Sequence, residues 1–289
     1  MRKIISSLCF LGLVALTLNS CQKGDVVQDV NSLGQGSYVT LVQKNNAILD
    51  ATNPAGSKVG VVAKEYGSKQ EKVIVYVSKG NATQDRTTWK KLKEFPVGAD
   101  GQYAIEVTGS EIAAAVGSTL KPGDIYTMYN SCITADGRVF DFANTFPEIA
   151  NNPNYNMVLT WQAIVVCPFV PPIAGNYKVV QDDWVDWSPG DIVPVTDGPG
   201  VNQVNISKVW PNPAYGDIVN PLYLIVSPAT GAATVPVNYT WANNYPGTAA
   251  TNGAGSGFVF SCTGDILMTI PVSYNGGDQG GLKLVLKKQ

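Results

Sequence analysis

From Ser37 to the C-terminus, short alternating runs of apolar and polar residues are broken by Gly, Asn, Asp and Pro. Tyr38–Val42, Val59–Ala63, Val73–Val77, Tyr103–Val107 and Ile125–Tyr129 are rich in β-branched and aromatic residues, the composition of half-buried strands. Asp136-Gly137, between Ile133-Thr134 and Val139-Phe140, has the chemistry of a tight hairpin turn. One stretch departs from the period of two: Thr108-Gly109-Ser110-Glu111 leads into Ile112–Val116 and Gly117. An N-cap, good helix formers and a closing glycine predict about two turns of helix. This spacing points to an all-β sandwich over 37–145.

The segment 146–172 mixes Asn and Pro with the apolar run Ala163–Cys167 and reads as a connector that becomes a strand. A second β domain is expected over 173–289, an antiparallel sandwich or small barrel, from the runs Tyr177–Val180, Val201–Ile206, Tyr223–Val226, Phe258–Phe260 and Ile266–Val272. Ser227–Gly231 has turn composition. Leu282–Lys287 alternates leucine with lysine, as in a strand with one face in water. No fixed-period repeat is present, which disfavours a propeller or solenoid.

The first residues carry a different signal. Arg2 and Lys3 precede the apolar run Ile4–Leu18, which is short for a membrane span, and Leu18-Asn19-Ser20-Cys21 follows at once. Residues 1–20 read as a signal peptide, with Leu18–Cys21 resembling the lipobox of bacterial lipoproteins. That resemblance makes Cys21 the lipidated first residue of the mature chain and places the protein in the outer membrane. Residues 21–36 are polar and unpatterned, as in a tether.

Removal of residues 1–20 leaves 18 basic residues against 22 acidic ones, without a basic stripe, so no nucleic-acid partner is expected. The one dense cluster, Lys90-Lys91-Leu92-Lys93, fits a solvated strand face. There is no histidine, which removes Ser-His-Asp and Cys-His catalysis and imidazole-bound zinc. Three cysteines follow Cys21 and no Cys-x-x-Cys spacing occurs. One disulfide and one thiol are expected, with Cys167–Cys262 as the pair and Cys132 left free.

The motifs run from the lipobox and tether to a sandwich holding Leu120-Lys121-Pro122-Gly123-Asp124 and Asp136–Phe140, then Cys167-Pro168-Phe169, Gly175-Asn176-Tyr177 and Asp182-Asp183-Trp184. This order resembles surface lipoproteins of Bacteroidota, including SusE-type accessory proteins of polysaccharide-utilisation systems. The resemblance implies an immunoglobulin-like first domain, glycan binding or a structural role beside an outer-membrane transporter, no catalytic residue set and no cofactor. Gln22-Lys23-Gly24-Asp25 looks like a degenerate surface-export signal of that phylum.

The densest chemistry lies in DDWVDWSPGD, Asp182–Asp191. If one strand ran from Tyr177 to Trp187, Asp183, Val185 and Trp187 would share one face and Asp182, Trp184 and Asp186 the other. The leading reading is an aromatic core plug followed by an acidic turn at Ser188–Asp191. The second is a sugar platform of Trp184 and Trp187 with Asp183 and Asp186, joined by Trp210, Tyr215, Trp241 and Tyr245 of the same domain. Aromatic faces suit the C–H face of a pyranose, and carboxylates accept its hydroxyl protons. A calcium site could draw on Asp182, Asp183, Asp186 and Asp191, but the spacing does not match an EF-hand, and no metal is expected. Last is a carboxylate pair of the glycoside-hydrolase kind.

Overall fold

In the computed structural model, residues 35–185, 187–207, 221–237, 239, 255–274 and 277–289 are described. The expected signal peptide, Cys21 and the expected tether up to residue 34 lie outside them. The alternating runs become strands because each buries every second side chain against a facing sheet. In chain order the first nine are β1 (Ser37–Asn46), β2 (Ile48–Asp50), β3 (Lys58–Gly67), β4 (Gln70–Lys79), β5 (Lys90–Pro96), β6 (Gln102–Thr108), β7 (Ile125–Thr134), β8 (Val139–Phe140) and β9 (Thr160–Val166). One sheet has the order β1-β3-β6; the other runs β2-β9-β7-β4-β5, with β8 added beside β7. Val39, Val61, Ile105, Val75, Met128 and Trp161 meet in the core between them. The short β2 runs parallel to β9 while the other pairings are antiparallel, giving an immunoglobulin-like sandwich.

Local chemistry closes the ends of these elements. Helix α1 (Gly109–Val116) begins with a reciprocal capping box: Thr108 Oγ1 accepts from Glu111 N at 3.1 Å, and Thr108 N donates to Glu111 Oε2 at 2.7 Å. Gly117 ends it at φ 71°, a conformation that costs glycine nothing. The edge strand β5 carries the lysine cluster on exposed positions. Glu94 accepts from Lys91 at 2.6 Å and Lys72 at 2.9 Å, which pull its carboxyl down to about 2. Charged edges of this kind resist pairing with another sheet.

The sandwich includes β9, which lies within the segment 146–172 expected to act as a connector. The apolar run Ala163–Val166 could not stay in a linker: Ala163 and Val165 are buried in the sandwich core. The link proper is therefore Cys167–Ala174. It is held by a disulfide from Cys167 to Cys262, with Cα atoms 6.3 Å apart, while Cys132 is a buried thiol. Phe169 N donates to Pro228 O at 2.9 Å, Val170 N to Ser261 Oγ at 2.9 Å, and Ile173 N to Asp197 Oδ1 at 2.9 Å. Val166, Cys167 and Phe260 form a small apolar cluster there.

The second domain is a closed barrel of eight antiparallel strands. They are β10 (Gly175–Asp182), β11 (Ile192–Asp197), β12 (Gln203–Ile206), β13 (Leu222–Val226), β14 (Ala232–Val235), β15 (Gly255–Phe260), β16 (Asp265–Tyr274) and β17 (Gly277–Lys288). Each pairs with its sequence neighbours, and β17 returns to β10 with Tyr177 opposite Lys288 and Val179 opposite Leu286. Eight strands enclose a space that side chains fill. Here Tyr177, Val195, Ile206, Leu224, Met268 and Leu286 are among those that fill it. Where β15 and β16 approach, a Cβ at Gly257 would lie 1.9 Å from Leu267 O, so only glycine fits. The disulfide spans 95 residues. Cys262→Ser should lower unfolding free energy by about 4 kcal/mol on the chain-entropy account, measured by urea titration against the parent.

Candidate functional site at the barrel rim

An up-and-down barrel sends alternate connections to opposite ends. The turns at 198–202, 227–231 and 261–264 share the end that faces the link, where Pro228 and Ser261 bond to it. The β10–β11, β12–β13, β14–β15 and β16–β17 connections all leave from the other end. DDWVDWSPGD forms the first of these. Trp210, Tyr215, Trp241 and Tyr245 fall in the second and third and lie outside the described residues, as does Asp186.

The stretch does not continue as a strand to Trp187. β10 stops at Asp182 because that carboxylate captures two backbone N–H groups ahead of it, Trp184 N at 2.9 Å and Trp187 N at 3.0 Å. This side-chain competition turns the backbone away from the ladder. Both tryptophans, expected on opposite faces of a strand, consequently pack half-buried against the same barrel core. Trp187 Nε1 is buried without an acceptor among the described residues. Val185, between them, is 83% exposed and sits at φ 62°, a strained conformation for a β-branched residue.

Asp183 and Asp191 are equally committed. Asp183 accepts from Lys283 N at 3.0 Å and from Gln181 Nε2 at 2.8 Å, and its own N donates to Lys283 O at 3.0 Å, stitching the loop to β17. The Gln181 amide, then the Lys283 backbone N–H, hold its carboxyl below the usual aspartate range. Asp191 accepts from Ser188 N at 2.8 Å and closes the Ser188–Asp191 turn, with Gly190 at φ 108°. These bonds hold the loop in place. A general acid needs a raised carboxyl pKa, whereas that of Asp183 is depressed. No cluster of three or more metal-ligating side chains occurs among the described residues.

Two rim aromatics had no place in the sequence reading. Tyr223 and Tyr239 meet edge to face at 4.6 Å, and Tyr239 donates its hydroxyl to Pro221 O at 2.6 Å. Tyr223 was visible only as part of a strand run, and the residues before Tyr239, Pro236-Val237-Asn238, point to no partner.

No family model and no curated protein matches the chain. Among solved structures, similarity is found to a cycloalternan-degrading enzyme from Trueperella pyogenes at 7% identity and TM-score 0.22, covering 81% of this chain and 28% of that one. The same enzyme in complex with isomaltose matches at 9% identity, TM-score 0.22 and the same coverage. A bacterial ice-binding adhesin matches at 10% identity and TM-score 0.24, covering 88% of this chain and 86% of that one. The chain therefore spans under a third of the enzyme's length. Overlap at this level transfers no activity.

If Trp187 is chiefly a plug, Trp187→Ala should cost about 3 kcal/mol, and Trp187→Phe, which keeps the ring and removes the orphan N–H, under about 1 kcal/mol; scanning calorimetry reads both. The depressed carboxyl of Asp183 stabilises the rim above its unfolded pKa of about 4 and loses that contribution as pH falls through its lower folded value. Near-ultraviolet tryptophan dichroism of the parent should accordingly change at acid pH, and in Asp183→Asn the change should shrink.

Proposed function

We propose that this chain is a non-catalytic, lipid-anchored outer-membrane protein that binds glycan or serves as an accessory subunit of a polysaccharide-uptake system. One observation carries the reading: the polarity of the chain. Ser37, the first residue of β1, pairs with Gly67, whereas Asp50 pairs with Val166, where the chain departs for the barrel. Ser37 is thus at the sandwich end away from the barrel. The loop-bearing rim, in turn, is the barrel end away from the sandwich. A protein anchored at Cys21 would hold that rim outward.

The commitment of Asp182, Asp183 and Asp191 to backbone N–H groups supports binding or scaffolding over carboxylate catalysis. A purely interactive role draws support from Phe146, 72% exposed at the start of the short helix α2 (Pro147–Ala150), with Ile149 beside it. No described helix is long and apolar enough to cross a membrane.

Cys21→Ser should move the protein from the membrane to the soluble fraction and abolish acyl mass on intact-protein spectrometry; retention with unchanged mass contradicts the anchor. Affinity electrophoresis of residues 22–289 in gels containing neutral or acidic polysaccharides should show retardation by at least one polymer. Unretarded migration in all of them leaves the accessory reading alone.

A further inference from the structure

The sandwich carries an aromatic surface that the sequence reading left unused. Tyr38 on β1 and Tyr66 on β3 are directly paired across the strands, on the face turned away from the core residues Val39 and Ala63. Their rings lie 4.8 Å apart at 37°. Tyr155 comes from a separate turn, Pro153–Tyr155, fixed to β1 by Leu41 N donating to Asn156 O at 3.0 Å and Asn156 Nδ2 donating to Leu41 O at 2.8 Å. The phenol of Tyr38 is pushed above its ordinary pKa, first by its own desolvation and then by the phenols of Tyr66 and Tyr155. Tyr66 is 58% exposed and Tyr155 44%. None of the three hydroxyls has a hydrogen-bond partner among the described residues.

The surface is also rigidly backed. Gln70, buried beneath it, donates through Nε2 to Tyr38 O at 2.8 Å and to Ser37 Oγ at 2.9 Å. Strand alternation puts exposed Lys64 on the same face, one pair along from Tyr66, opposite Thr40. Lys64 makes no ion pair among the described residues. Its neighbour Glu65 turns to the other face and accepts from Gln70 N at 3.1 Å.

We infer that Tyr38, Tyr66 and Tyr155, flanked by Lys64, form a binding platform for an acidic polysaccharide. Ring faces carry negative quadrupole charge and match the electropositive C–H face of a pyranose. The paired rings of Tyr38 and Tyr66, with Tyr155 on the turn fixed to the same strand, suit consecutive units of an extended chain. The free hydroxyls suit its hydroxyls, and an unpaired ammonium complements a uronate carboxylate. Preorganisation by Gln70 and Asn156 removes the ordering cost that flexible aromatics would incur on binding. The inference rests on the glycan reading above but places the ligand on the sandwich, not on the barrel rim.

The test is calorimetric titration of residues 22–289 with polygalacturonate and with neutral dextran. The platform predicts tighter binding of polygalacturonate, weakened by salt. Tyr66→Ala combined with Tyr155→Ala should raise Kd about tenfold or more with the melting temperature nearly unchanged. Tyr66→Phe should retain most of the affinity, and Lys64→Gln should reduce the preference for the acidic polymer. Parental affinity in the double tyrosine variant overturns the platform while leaving the glycan reading standing. Binding of neither polymer overturns the platform, and it fails too if the tyrosines prove necessary only for co-sedimentation with phosphatidylcholine vesicles. Absence of retardation by every polysaccharide in the electrophoretic panel removes the glycan reading as well.

Discussion

Closure of the barrel is the constraint on which the second half of this molecule depends. A meander of eight strands has two free edges until the last meets the first, and an exposed edge leaves a row of unpaired N–H and C=O groups. Here β17 returns to β10 across a register running from Tyr177–Lys288 to Asp182–Leu284. The final leucines of the chain thereby complete the lining around Tyr177 and Val179. Closure also fixes the rim, since Asp183 bonds to Lys283 on the returning strand and not to its own hairpin partner. The tryptophan loop is consequently anchored by residues 100 positions away in sequence.

Much of this order was legible from local chemistry. The capping box of Thr108 and Glu111, the Asp136-Gly137 hairpin, the Ser227–Gly231 turn and the half-buried alternation of Leu282–Lys287 all depend on neighbours within a few residues. Non-local choices were not legible. Strict alternation is equally satisfied by a sandwich and by a barrel, and the choice is made by whether β17 finds β10. The run Ala163–Val166 was legible as a strand, but its place in the sandwich was not, because its partners, β2 and β7, are remote in sequence. Around Asp182, the assumption of a continued strand failed because one short carboxylate competes successfully for two backbone donors.

The candidate chemistry sorted itself by the same physical rule. Among the described residues, the carboxylates of Asp182, Asp183 and Asp191 are absorbed by backbone groups and both indoles by the barrel core, whereas Tyr38 and Tyr66, unremarkable in the sequence, gain meaning only from register. A pair 28 residues apart cannot be read from composition; it exists because β1 and β3 align Ser37 with Gly67. The sandwich thus offers exposed rings on a rigid sheet, and the barrel offers a loop-bearing end secured by its own seam.

Native-state hydrogen exchange tests the closure most directly. If β10 and β17 form a true seam, the most protected amides between Tyr177 and Asp182 and between Leu284 and Lys288 should exchange with the same opening free energy as those of β12 and β13, because the barrel opens as one unit. Exchange of the seam through a separate opening, well below the free energy of β12 and β13, would contradict the account and describe an open sheet whose edges merely touch.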